Sequence, residues 1–473
     1  MSSVYMRSAL IMVALALAGC ASVPRDAGFS DVRQDVSERA GYEINWYRGA
    51  PEEAKVGAAV DSLLRDELTI DEAVQIALLN NRRLQAVYED LGVAQADVVQ
   101  AGLLRNPIFG GGMAFSAGEQ PELAVSAAVD FLGIFYIPLR KRVAESRFEA
   151  AKSRVAGAVL ELAAQVQAAF YEAQARAQLL EMRQQVALAT EAAFDASQRL
   201  REAGNIRLLD LHSEQALYEQ ARLDLLLAEE ALTQSREQLN RLMGLWGSDT
   251  VWQLNGRLPA VPEVELVLDD VESRAIANSL DLAVARQEIE TYGRLLGLTR
   301  ASSLVPDLEI GGSAEREENG WKVGPELAVP IPLFDQGQAR VATARAELRR
   351  RQEQYVALAV EVRAAAREVR QRLITSRRTA LHYQNVILPL RARITEEAQH
   401  QYNAMQIGVF QLLQARQQEI EAGQRYIEAL GAYWRARTDL EVLLQGRMAD
   451  LGGIQPVSTE PRSTGADSPA GGH

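Results

Sequence analysis

The chain has 473 residues, room for roughly two to four domains on length alone, and a net charge of −13 that denies it the basic footprint of a nucleic-acid partner. Hydrophobic residues make up 48% but aromatics only 6%, which favours closely packed helices over a thick globular core. Its single cysteine, Cys20, excludes a disulfide framework and a Cys-based metal site.

The first segment, 1–19, has the plan of a signal peptide: Arg7, then an apolar run from Ala9 to Ala18. Leu17-Ala18-Gly19-Cys20 resembles a bacterial lipobox, so Cys20 is expected to be the lipid-bearing (palmitate-type) first residue of the mature chain. Ala21 rather than Asp follows, which in such lipoproteins goes with the outer membrane. Acyl chains anchor without spanning. Residues 20–67 show no clean period and read as an extended arm that lies along the body.

Residues 68–246 and 267–446 carry the same plan twice. In the first copy, 68–104 reads as one helix, with Ala73, Ile76, Ala77, Val87, Leu91, Ala94 and Val98 at three- and four-residue steps. Thr69 and Glu72 suit a capping box at its start, and Asn106-Pro107 stops it. A candidate hairpin follows, 107–116 and 122–131, with a turn at 117–121. Gly110-Gly111-Gly112 within it points to close backbone approach.

The helix from about 139 to 202 carries two seven-residue series, Phe148, Val155, Leu162, Ala169 and Val159, Val166, Ala173, Leu180. Sustained heptads predict coiled-coil packing. At 1.5 Å per residue the helix runs about 90–100 Å, roughly three times a bilayer's hydrocarbon core. It therefore crosses an aqueous space. A glycine-led segment at Gly204 opens the last helix of the copy, near 208–243.

A Pro- and Gly-containing linker, 247–266, leads to the second copy. Its hairpin pairs 307–315 with 322–330 around Glu317-Glu318-Asn319-Gly320, a good turn sequence. The apolar face Leu123, Val125, Ala127, Val129 of the first hairpin has a weaker counterpart in Leu308 and Ile310. Each strand has the length to cross a bilayer at a tilt, and two small surface hairpins on a helical scaffold fit the pattern as well. Val341, Leu348, Tyr355, Val362 and Val369 repeat the heptad, interleaved with Ala344, Leu358 and Ala365. A glycine-led segment at Gly408 precedes the final helix, near 412–444, and 447–473, rich in Gly, Pro, Ser and Thr, reads as a disordered tail.

No run of 18 apolar residues follows the signal segment, so any membrane crossing must use strands. The four histidines, His212, His382, His400 and His473, form no ligand spacing. There is no HExxH, GxSxG or GxxxxGK motif, so neither an enzyme nor a cofactor or metal site is expected.

The duplication, the Cys20 lipobox, LLRNPIF at 103–109, PIPLFDQGQAR at 330–340 and the paired segments at Gly204 and Gly408 together resemble the TolC family of outer-membrane efflux proteins, above all its lipid-anchored members. That resemblance implies a mainly α fold with a small β part: long coiled-coil hairpins plus two β-hairpins. It further implies a homotrimeric α-barrel below a 12-stranded transmembrane β-barrel, acting as the passive exit duct of a tripartite system. Its partners would be a periplasmic adaptor, an inner-membrane pump and outer-membrane lipid. Gly204, Leu208, Asp210 and Leu211 would form one periplasmic tip, and Gly408, Leu412 and Leu413 the other, with Gly at positive φ and the leucines packing the tip or meeting the adaptor. Aligned this way, Asp210 faces Gln414, so an acidic ring in both tips is not implied. Negative charge lining the lumen would favour cations. A periplasmic coiled-coil scaffold or adaptor without a pore is the competing reading.

Overall fold

The computed structural model describes residues 22–114, 122–304, 308–317, 320–328 and 333–448. The signal segment with Cys20, Pro306, Pro330, the 117–121 turn, positions 318–319 and the tail beyond 448 lie outside the described residues.

The arm is helical, where no period was expected. Helix α1 (Phe29–Ala40) buries Phe29, Val32 and Val36, and α2 (Ala50–Leu63) buries Val56 and Val60. Their apolar positions are few and the intervening residues polar, so a three-turn helix leaves little periodic signal. Phe29, Trp46 and Tyr88 pack ring to ring at 5.1–6.4 Å, which seats the arm on the body.

The expected 68–104 helix is two helices, α3 (Ile70–Asn80) and α4 (Arg82–Gly102), after the short strand β1 (Glu67–Leu68). The Thr69/Glu72 capping box is present. At Asn81 the backbone turns extended (φ −67°, ψ 112°), and its side-chain oxygen accepts from the amides of Arg83 and Leu84 while its Nδ2 donates to Leu242. The polar side chain supplies the caps that a break requires.

Strands β2 (Ile108–Ala114) and β3 (Glu122–Asp130) lead into α5 (Gly133–Glu202), an unbroken helix of 70 residues, about 105 Å long. Helix α6 (Leu208–Met243) returns antiparallel to it. In the linker, β4 (Gln253–Leu254) pairs parallel with β1. The second passage has α7 (Val271–Asn278), α8 (Leu280–Leu304), β5 (Glu309–Glu317), β6 (Gly320–Ala328), α9 (Gln338–His382), α10 (Leu388–Asn403) and α11 (Val409–Gln445). A π-helical turn, Tyr383–Ile387, separates α9 from α10 immediately before Pro389, so the second rod is not the uninterrupted equivalent of α5.

The two passages close in the same way. Asn80 donates its side-chain amide to Met243 and Gly244 carbonyls, and Asn278 donates to Leu444. Gly244 (φ +69°) and Gly446 (φ +115°) end the last helix of each passage against those asparagines. Arg447, expected to begin a disordered tail, instead pairs with Glu161 (2.8 Å) and Asp281. The main core lies where arm, α3, α4 and the middle of α5 meet, and a second core joins α7, α9 and α11.

Candidate functional site

The two hairpins form one antiparallel sheet, ordered β2-β3-β5-β6. Register decides which side chains share a face, because directly paired residues point the same way. Val125 pairs with Gly111 and Ala314, and Ala314 with Val323; Val129 pairs with Ile310, and Ile310 with Leu327. Phe109, Met113 and Trp321 fall in the same set, and Leu308, through its carbonyl bond to Phe131, extends it. The alternate set holds Ser126, Ser313, Lys322, Glu326 and several glycines. Partial alternation in each hairpin thus becomes one mostly apolar face, with Arg316 at its far end between Leu123 and Trp321, and one mostly small or polar face that also holds Ile108. Gly110 has no room for a side chain: a Cβ there would stand 2.5 Å from Ser126 Oγ. The outer strands, β2 and β6, leave their far edges without partners among the described residues.

At the other end of the rods are two helical turns. In the first, α5 ends at Glu202; Gly204 takes φ +77°, and Asn205 N–H donates to Leu200 O at 2.8 Å. Arg207 N–H and guanidinium meet the Asp210 carboxylate at 2.9–3.2 Å, which closes the N-terminus of α6. The Arg207 guanidinium holds the Asp210 carboxyl below its ordinary range. In the second, α10 ends at Asn403, Met405 takes φ +58°, and Gln406 N–H donates to Gln401 O at 2.9 Å. Gly408 N–H donates to Gln411 Oε1 at 3.0 Å.

These bonds correct the alignment of the tips. Gly204 matches Met405, not Gly408, whose φ of −81° is ordinary. Asp210 matches Gln411, not Gln414. A glycine shared by both segments suggested the wrong register; the hydrogen bonds that close each turn determine the right one. The conclusion that the second tip lacks the acidic residue is unchanged.

Leu208 is exposed, Leu211 and Leu413 are half-buried, and Leu412 is buried at 6%. The most exposed apolar side chains of the tips are ones the sequence did not single out: Leu209 (67%), Phe410 (69%) and Met405 (93%). The corrected register would have pointed to Leu209 and Phe410, which occupy matching positions. Glu214, nearly two turns into α6, is buried; burial pushes its carboxyl up, and Arg416 on α11 partly offsets this.

Among the described residues there is no group of acidic, His or Cys side chains able to hold a metal ion, and no helix long and apolar enough to cross a membrane.

Residues 73–245 and 271–446 match the family described as outer membrane efflux protein. The cobalt-zinc-cadmium resistance protein CzcC of Cupriavidus metallidurans is 27% identical over 399 residues, covering 80% of this chain and 90% of that protein. Among solved structures, the CmeC outer membrane channel of Campylobacter jejuni superposes with a TM-score of 0.66 at 14% identity, over 81% of this chain and 87% of that one. The open state of the MtrE outer membrane channel of Neisseria gonorrhoeae gives 0.63 at 18% identity, over 80% and 89%.

Proposed function

The chain belongs to the outer membrane efflux protein family, the TolC-type channels, and on that premise we propose that it is a passive exit duct assembled from three copies. The observation that carries this reading is the two-faced sheet with open edges. Four strands cannot close a pore, and lipid tolerates no unpaired edge, so several copies must complete the wall. Three copies give twelve strands, apolar outside and small or polar inside. The long hairpins then cross the periplasm as a hollow helical cylinder, and Cys20 tethers each subunit to the outer membrane.

The tips are the surface offered to a periplasmic adaptor, itself coupled to an inner-membrane pump. Leu208, Leu209 and Phe410 supply the apolar contacts, Gly204 and the Arg207–Asp210 pair shape the first turn, and Gly408 with Gln411 the second. Leu211 and Leu413 flank the contact, and Leu412 packs the tip from within. Opening is a shift between two helix packings biased by adaptor contact. A Leu209→Ser/Phe410→Ser double variant is expected to reach the outer membrane as trimer yet lose adaptor co-purification and efflux complementation. Full complementation by that variant overturns the assignment of the tips. The CzcC relative favours divalent metal cations as cargo. Loss of the gene is then expected to sensitise the cell to zinc, cobalt or cadmium, and unchanged sensitivity to all three rejects that cargo.

A further inference from the structure

Helix α5 has two opposite long faces. One is wrapped: Gln167 Nε2 donates to the Tyr42 hydroxyl of the arm (3.0 Å), and Gln174 Nε2 donates to Asn255 O of the linker (2.8 Å). Arg140 and Arg147 each lie 27 residues before one of these glutamines, about seven and a half turns, and so look the other way. Arg154 continues their line, since seven-residue steps drift only ~20° each. Arm and linker would plug a bore if they faced inward. The wrapped face is therefore the outer one, and the arginine face looks into the duct.

A second observation agrees. Arg105, at the end of α4, pairs at 3.4 Å with Asp130, which belongs by register to the polar face of the sheet. Arg105, Arg140 and Arg147 line one groove of about 470 Å³ together with Leu104, Leu295 and Leu298. Arg147 makes no ion pair or hydrogen bond among the described residues, and the buried Nε of Arg140 has no partner there, its Nη2 donating to Gly133 O. Among the described residues Arg154 donates to the Ala150 carbonyl alone, at 3.4 Å. Acidic groups near this stretch are Asp97 in the groove and, two turns before it on the same face of α4, Asp90, both exposed; Asp130 is paired with Arg105 and Glu161 with Arg447.

We propose that Arg140, Arg147 and Arg154 form a luminal anion-binding ladder directly below the membrane sheet, so that this stretch of the duct attracts anions although the chain as a whole is strongly acidic. The proposal rests on the duct reading above. From Arg140 to Arg154 the ladder spans about 21 Å, and threefold repetition surrounds the bore with unneutralised guanidinium groups. It recruits chloride, carboxylate- and phosphate-bearing solutes, and a divalent cation crosses it screened by the anions held there.

The test is the reversal potential of the full-length trimer in planar bilayers under a KCl gradient. An Arg140→Gln/Arg147→Gln/Arg154→Gln variant is expected to raise the potassium-to-chloride permeability ratio about threefold or more. Arg147→Gln alone, which breaks no bond among the described residues, is expected to move it in the same direction. Lys141→Gln/Arg142→Gln removes two charges elsewhere on the helix and is expected to leave it unchanged. An unmoved ratio in a conducting triple variant, or an equal shift in the Lys141/Arg142 variant, overturns the ladder alone. A wild-type trimer that conducts nothing overturns the duct reading and the ladder with it.

Discussion

At the scale of single residues, the fold is held at points where a backbone carbonyl would otherwise lack a partner. Arg39 of the arm donates to Asn278 O (2.8 Å) and Gln445 O (2.9 Å), the last carbonyls of two helices from the second passage. Gly446 sits beside them at positive φ, where a Cβ would lie 2.3 Å from Asn278 O, and Gly244 ends the matching helix of the first passage at positive φ, where a Cβ would lie 2.9 Å from Asn80 O. Gly244→Ala and Gly446→Ala are each expected to cost about 2 kcal/mol or more, read as a fall of several degrees in apparent Tm. A variant as stable as wild type would show that these helix ends have slack. Tyr42 tests the wrapped face. Burial, then the Glu441 and Asp71 carboxylates, push its phenol up to about 12. Above the ordinary tyrosine pKa the unfolded chain ionises while the folded one does not, so its contribution to stability is intact below pH ~10 and lost by pH ~12. Tyr42→Phe is expected to flatten part of the alkaline decline, the rest being shared by other tyrosines raised by burial, among them Tyr171 and Tyr433, both at about 12, and Tyr88, pushed higher still. Equal declines in variant and parent would place Tyr42 in water.

Among elements, the sheet and the tips show how different the sequence signals were. Heptads over α5 were legible because a long helix repeats its seam many times, and Val155, Val159, Leu162, Val166 and Ala173 are all buried. A strand of seven to nine residues repeats its alternation only a few times, and glycines erase half of it. Pairing across four strands restores the pattern. Val323→Arg, on the apolar face, is expected to cost about 2–4 kcal/mol at mid-bilayer and abolish heat-modifiable trimer in the outer membrane. Ser313→Arg, on the opposite face, is expected to assemble. If both variants assemble, the sheet does not meet lipid. Breaks in helices were less legible. Asn81 lies inside an apolar period that runs straight through it, and only its bonds to Arg83, Leu84 and Leu242 reveal the corner.

For the molecule as a whole, the proposed duct makes one subunit an arc of wall. The sheet ends in two open edges, α6 exposes Leu223, Leu226 and Leu227, and α9 exposes Val356 and Val360. Such surfaces on one chain call for partners of the same kind. Native mass spectrometry of detergent-purified protein is expected to give three copies, with no stable lone subunit at micromolar concentration. A persistent monomer would favour the scaffold alternative.

What the sequence determined by itself was the class of object: two copies of one plan and rods too long for any bilayer. Those properties follow from repetition, and repetition survives in one dimension. Tertiary structure decided everything that depends on register. It made Met405 the counterpart of Gly204, joined Val129 to Ile310 on one face and turned the chain at Asn81. A shift of one residue moves a strand side chain to the other face and a helix side chain by 100°, and only hydrogen bonds between distant segments set that shift.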